Sequence, residues 1–297
     1  MTPRRLYFLL FLFCAPLLSA KDVVFAYYNL ENYLPMPRTV DGKRVENAPK
    51  PESEIAALIS MIERIRPDIL GVVEIGDQSL LADFQSRLFS AGIALPHTEW
   101  VASVEGERHI ALLSRFPMAG RHSQSDLAVE IDGRIHKSRR GILDATVQIS
   151  PDFQLRIVGI HLKSRREVPE FDEKKFRARE ALLVRAHIDS IFQSDPNVRL
   201  LVFGDLNDTK NESPVKDILG VPGTSSGLRD LPLRDSYGLV WTHFWSKADV
   251  YSRIDYLLAS RRLWPDIKPS LSGIGGGQEW SQASDHRPLY TTIRVTE

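Results

Sequence analysis

The sequence predicts an α/β fold with β-sheets at its centre and helices outside. Apolar runs of strand length alternate with longer segments of helical period. Antiparallel-type pairs are mixed in, such as ILDATVQI (142–149) and FQLRIVGIHL (153–162), joined by Ser150, Pro151 and Asp152. Polar residues collect at the ends of these strands, where α/β folds place their ligands.

The elements follow in order. KDVVFAYYN (21–29) reads as a buried strand, and the proline-bearing, charged stretch 34–50 as an exposed loop. A helix follows, with Ser53 as its N-cap and apolar residues at 55, 58, 59, 62 and 65 on one face, stopped by Pro67. DILGVVEI (68–75) is a strand ending near Glu74, and DQSLLADFQSRLFSAG is a helix closed by Gly92. HIALLSRFP (109–117) is a strand entering a proline turn. EKKFRAREALLVRAHIDSIF is a long helix, and NVRLLVFGD is the strand after it. Short strands are predicted at 254–259 and 288–295, and a long connection at 208–235.

Residues 1–20 stand apart. Arg4 and Arg5 precede an apolar run too short to span a bilayer, and Ser19 and Ala20 precede Lys21, the pattern of a secretory signal peptide. An uncleaved anchor is the alternative. The expectation is one domain over 21–297, secreted or periplasmic. Cys14 is the only cysteine, so a chain cut after Ala20 has no disulfide, thiolate nucleophile or Cys-based zinc site. Basic and acidic residues both number 38, and Arg4 and Arg5 fall in the leader, so the remainder is slightly acidic. An anionic substrate must then be met by a local patch rather than by overall charge.

Asn29 and Glu31 end the first strand, Glu74 the second; His161 lies in GIHLKS, Asp205 and Asn207 in FGDLND. Asp255 lies in RIDYLL, and Asp285 and His286 in SDHRPL. Each alone reads as a turn, a cap or a core histidine. Together they supply oxygen donors for a hard cation such as Mg²⁺, Mn²⁺ or Ca²⁺, and histidines that move protons near neutral pH. That combination suits attack of water on a phosphate ester.

In this order, YNLEN (28–32), PDILGVVEI (67–75), LLSRFP (112–117), VGIHLKS (158–164), FGDLND (203–208), RIDYLLAS (253–260) and SDHRPL (284–289) resemble one superfamily. It is the endonuclease/exonuclease/phosphatase superfamily, which includes deoxyribonuclease I, abasic-site endonucleases, neutral sphingomyelinases and inositol polyphosphate 5-phosphatases. The resemblance implies a four-layer α/β sandwich and a secreted, bacterial-type member. Asp205 would orient or deprotonate the attacking water, and Asn207 would bind the phosphate. Glu74 would be the principal metal ligand, completed by Asn29 and Glu31, with Asp285 direct or through water. His286 would handle a proton, oriented by Asp255, and His161 would donate to the phosphate or the leaving oxygen. Whether Asp205 or His286 is the base stays open, and no carboxylate partner for His161 is legible. Lys163 and Ser164, Arg140 of the first KSRR, and Arg253 of RIDY are the expected substrate contacts.

Ser252 stands before Arg253 where abasic-site enzymes carry Trp, which argues against that repair activity. The resemblance implies a phosphodiester substrate, first a nucleic acid, then a membrane lipid or another phosphoester, cleaved by a monomer with no protein partner. WTHFW (241–245) reads as core or pocket packing. Two readings of another class are a serine hydrolase built on GTSSG (223–227) and a silent binding protein. The first lacks the flanking strand and helix that a nucleophile elbow requires.

Overall fold

The computed structural model describes residues 21–104 and 106–296; the expected leader, with Cys14, lies outside the described residues. Two six-stranded sheets pack face to face. The first runs Ile267–Ile274, Leu289–Val295, Lys21–Tyr33, Ile69–Ile75, His109–Ser114, His97–Val101. The second runs Arg229–Asp230, Asp255–Ala259, Leu200–Asp205, Phe153–His161, Leu143–Ser150, Met118–Arg121. Helices α1 (Glu52–Ile65) and α2 (Gln78–Ser90) cover the first sheet. Helices α3 (Glu173–Ser194) and α4 (Ser213–Leu219) cover the second, and α5 (Trp280–Ala283) is a single short turn. The result is the predicted four-layer α/β sandwich.

Each sheet is antiparallel except for one central parallel pair. Lys21–Tyr33 pairs with Ile69–Ile75 through α1, and Phe153–His161 pairs with Leu200–Asp205 through α3. A parallel pair needs a helical crossover, and it leaves two strand C-termini side by side. Both sets of C-termini point to the same end of the sandwich, since Asn29 of the first sheet meets Asp205 of the second.

The apolar core between the sheets includes Phe25, Tyr27, Leu112, Ile157, Phe203 and Leu257, all fully buried. Phe203 sits at its middle. A Cβ at Gly71 or at Gly159 would lie 2.5 Å from the Phe203 ring, so two glycines from opposite sheets make its space. Phe203 is two residues from Asp205, and its packing fixes where that strand end lies.

Local expectations mostly hold, with instructive exceptions. The α1 face of Ile55, Leu58 and Ile62 is buried, but the helix starts after Pro51, which makes no side-chain cap, and Ser53 lies inside it. Proline is suited to a helix start because its missing N–H is unneeded there. Helix α2 is capped by Asp77, which accepts from Ser79 and Leu80 N–H. The expected loop at 34–50 is a hairpin of Met36–Val40 and Lys43–Ala48, turned by Asp41 and Gly42 at φ +50° and +74°. A second hairpin joins Ala128–Ile131 to Arg134–Lys137, with Val129 and Ile131 buried against Phe176, and a third joins His243–Trp245 to Val250–Ser252. GTSSG is a run of surface turns after α4 with no strand before it, so the serine-hydrolase geometry is absent there.

Candidate functional site

Three adjacent strands of the second sheet place one row of side chains. Parallel register sets His161 beside Asp205, and antiparallel register sets Asp205 beside Asp255. All three are buried. Asn29 reaches across from the first sheet: its Nδ2 is 3.3 Å from Asp205 Oδ2 and 3.3 Å from His286 Nε2. The backbone is unusual where these groups meet. Glu31, Asn32, Glu74 and Asn207 have φ of +45°, +61°, +61° and +51°. Left-handed backbone costs energy for residues other than glycine, and such strain concentrates at functional sites.

His286 is held from both sides. Its Nδ1 lies 2.8 Å from Asp255 Oδ2, and its backbone N–H donates to Ser284 Oγ. The other oxygen of Asp255 accepts from the Tyr27 hydroxyl at 2.8 Å. Nε2 is left facing Asp205 Oδ2 at 3.8 Å and Asp285 Oδ1 at 3.8 Å. Burial alone would lower the His286 pKa, but the charges of Asp255, Asp285 and Asp205 outweigh it and hold it well above the usual value. Burial, then the charge of Asp255, pushes the Asp205 carboxyl up to about 8. Both groups therefore hold a proton more readily than either would alone in water.

His161 is different. Burial, then the charges of Arg140, His286 and Arg108, push its pKa well below the usual range, which favours the neutral imidazole. Its Nε2 is 3.7 Å from both Glu74 Oε1 and Asp205 Oδ2. Its Nδ1 is buried and finds no partner among the described residues, so the missing carboxylate partner is missing in space as well. Asn207 turns its Nδ2 to Leu162 O at 3.0 Å, and its backbone N–H to Asp205 Oδ1 at 2.8 Å, holding that carboxylate. Asp208, one residue on, is a supporting group that accepts from Arg165 and from Arg177.

The expected substrate contacts fare unevenly. Lys163 is buried, and its Nζ donates to Ser164 O, Ser164 Oγ and Arg166 O, which gives it and Ser164 the task of shaping their loop. Arg253 is engaged by both oxygens of Asp230 at 2.9 and 2.5 Å, a bidentate pair that ties a loop to the sheet. Charge counting in the sequence misses such pairs because the partner is distant along the chain. Arg140 donates to Leu162 O at 3.1 Å and lines a small space behind His161 together with Glu180. That buried glutamate, raised to about 7 mainly by burial, accepts from Lys163 N–H and Ser138 Oγ.

At the other edge lie the expected metal ligands. Glu31 Oε2 accepts from Asp285 N–H at 2.9 Å, Asn29 Oδ1 from Glu31 N–H at 3.0 Å, and Glu74 Oε2 from Asn32 N–H at 3.0 Å. Glu31 is pushed up to about 7 by burial and by the charge of Asp285. Glu31, Glu74, Asp205, Asp255 and Asp285 share this end of the sandwich, while Arg108 approaches Glu74 only to 4.0 Å. Crowded, partly buried oxygen donors with an excess of negative charge fit a hard divalent cation.

His243, Tyr27 and Arg108 were not legible as site residues. The histidine of WTHFW is the one with a signal, since a polar residue interrupts an aromatic run. Its ring packs on His286 with centroids 4.7 Å apart. Trp241 and Phe244 are half-buried against Tyr251 and Trp280, whereas Trp245 and Tyr251 are exposed, so this hairpin is only partly the packing element expected.

Residues 26–286 match the model of the endonuclease/exonuclease/phosphatase family. Among solved structures, the human nocturnin catalytic domain with bound sulfate is 16% identical, with 92% of this chain and 95% of that chain covered at a TM-score of 0.61. Truncated TDP2 from Caenorhabditis elegans is 16% identical, with 92% and 98% covered at 0.57. Sphingomyelinase C from Streptomyces griseocarneus is 12% identical, with 92% and 99% covered at 0.61. At these identities the likeness establishes the fold. No curated protein matches the sequence significantly.

Proposed function

Since the chain belongs to the endonuclease/exonuclease/phosphatase family, we propose that it is a Mg²⁺- or Mn²⁺-dependent phosphodiester hydrolase whose first substrate is nucleic acid. The observation that carries this reading is the row His161–Asp205–Asp255, met from the other sheet by Asn29 and His286 at 3.3 to 3.8 Å, beside the three carboxylates of Glu31, Glu74 and Asp285. Glu74, Glu31, Asn29 and Asp285 would hold the ion. When bound, the ion supplies Lewis-acid stabilisation of negative charge on the phosphate.

The side chains divide the remaining work. Asp205, fixed by Asn207 N–H and Asn29 Nδ2, orients the attacking water. The proton passes to the Asp205–His286 pair, and Asp255 holds His286 in the tautomer that presents Nε2. Neutral His161 offers its Nε2–H to a phosphate oxygen, and burial makes that hydrogen bond stronger than it would be in water. Residues 21–297 act as one domain and monomer, and the leader-like residues 1–20 support a site of action outside the cytoplasm.

A lipid phosphodiester is the second reading, favoured by the exposed Trp245 and Tyr251 beside the site. The test is a side-by-side assay of plasmid DNA, RNA, sphingomyelin and bis-p-nitrophenyl phosphate with Mg²⁺ or Mn²⁺, each with EDTA controls. Nicking of DNA that EDTA abolishes supports the first reading. Cleavage of sphingomyelin alone replaces it with the second, and cleavage of none overturns both.

A further inference from the structure

We propose that His243, Asp285 and His286 form a second cation site, selective for an imidazole-seeking ion such as Zn²⁺, and that filling it stops hydrolysis. The binding claim stands on geometry; the inhibition claim rests on the proton-handling role proposed above for His286.

The ligating atoms of the three residues lie within 4.8 Å of one another. His243 Nε2 is 3.6 Å from Asp285 Oδ2, and His286 Nε2 is 3.8 Å from Asp285 Oδ1. Donors bonded to tetrahedral Zn²⁺ at about 2.0–2.2 Å stand about 3.4 Å apart, so small side-chain rotations close the site. Both rings are already oriented. His286 Nδ1 is 2.8 Å from Asp255, and His243 Nδ1 is 3.3 Å from Ser252 Oγ. An oxygen behind each metal-facing imidazole is the arrangement that fixes tautomer and direction in histidine metal sites.

The backbone fixes the spacing. An isolated antiparallel bridge joins His243 to His286. It is flanked by Phe244 N–H to Asp285 O at 2.9 Å and Arg287 N–H to Thr242 O at 2.7 Å. An ion can enter, because the Asp285 side chain is 42% exposed and that of His243 is 19% exposed.

Ligand chemistry separates this site from its neighbour. Two imidazoles and one carboxylate suit Zn²⁺, whereas the oxygen donors of Asn29, Glu31 and Glu74 suit Mg²⁺ or Mn²⁺. Asp285 belongs to both groups, so the two ions would be close. Zn²⁺ on Nε2 of His286 takes the lone pair that must receive a proton.

The test uses the tag-free protein, stripped with chelator, held in millimolar Mg²⁺ and titrated with Zn²⁺ by calorimetry. One Zn²⁺ per chain is expected. His243→Ala and His243→Asn each raise its dissociation constant by more than about 100-fold, beyond the 10–100-fold typical of losing only a supporting residue. Melting without Zn²⁺ shows that both variants are folded. No Zn²⁺ binding at micromolar concentration in the parent protein, or equal binding in either folded variant, overturns the site. In parallel, Zn²⁺ should halt hydrolysis by the parent, and the ratio of rates with and without Zn²⁺ should recover toward one in His243→Ala. Full hydrolysis with Zn²⁺ bound overturns the inhibition claim. Absence of any hydrolysis overturns the functional reading, while calorimetry still decides the site.

Discussion

Asp255→Asn is the most informative single change, because it removes one charge and keeps the shape. In the protein, Asp255 Oδ2 meets His286 Nδ1 at 2.8 Å, and Oδ1 accepts from the Tyr27 hydroxyl at 2.8 Å. Asn can still accept from Tyr27 with its carbonyl, which turns its NH₂ toward His286. Nδ1 must then become an acceptor, the proton moves to Nε2, and the face toward Asp205 can no longer take one. Loss of a positioned proton acceptor costs about 100-fold or more in turnover, equivalent to about 2.7 kcal/mol or more of barrier. The pH dependence shifts as well. Asp255 is the largest of the charges that raise His286, and it favours the protonated imidazole. Without it the proton leaves at lower pH, so the rising acid limb of the rate profile moves to lower pH, by about 1–3 units for an opposite charge at contact. The assay is the initial rate of bis-p-nitrophenyl phosphate cleavage from pH 5 to 9 at saturating metal, with circular dichroism as the check on folding. A folded variant with an unmoved limb and a plateau within threefold of the parent would refute the pairing.

Two further outcomes test the scaffold. A Cβ at Gly159 would lie 2.5 Å from Phe203 Cζ and 3.1 Å from Ile110 Cγ2, so Gly159→Ala should cost about 1–3 kcal/mol by overpacking, read from urea unfolding; unchanged stability would mean that Phe203 is not tightly held. Fully buried Asp144 accepts from Arg156 at 2.7 and 2.6 Å and faces His187 Nε2 at 2.8 Å, so Asp144→Ala should destabilise by about 3 kcal/mol. Burial would raise the Asp144 carboxyl, but His187 and Arg156 outweigh it and hold it below the usual value. Its contribution is therefore present above the ordinary carboxylate range and is lost as pH falls through the lowered value, and the variant should lose that part of its acid sensitivity.

The sequence made the layers legible because buried strands and amphipathic helices each carry their own period. The α1 face and the close of α2 near Gly92 depend only on neighbours along the chain. The site was legible as a set of strand ends, since polar residues at the mouths of apolar runs are conspicuous. What each side chain does with its hydrogen bonds was not. Lys163 and Arg253 sit beside motif residues, yet spend their donors on local carbonyls and on Asp230, respectively. Such choices depend on loops that meet only in the folded chain. The hairpins at 36–48 and 128–137 were hidden differently. Their strands are short and most of their residues are exposed, with Val129 and Ile131 the pair that turns inward, yet each hairpin turns on an Asp-Gly pair, Asp41–Gly42 and Asp132–Gly133, which is itself a hairpin signal. His243 needed the bridge to His286 before it could be seen as part of the site.

The central claim is that this end of the sandwich hydrolyses phosphodiesters with a divalent ion. Its most direct test is the rate of bis-p-nitrophenyl phosphate cleavage by the stripped protein as Mg²⁺ or Mn²⁺ is added back, for the parent, Glu74→Gln and His286→Ala. Expected are no cleavage without metal, saturable recovery in the parent, a much higher metal requirement in Glu74→Gln, and a loss of about 100-fold or more in folded His286→Ala at any metal concentration. Cleavage that survives EDTA, or that both variants retain in full, would contradict it.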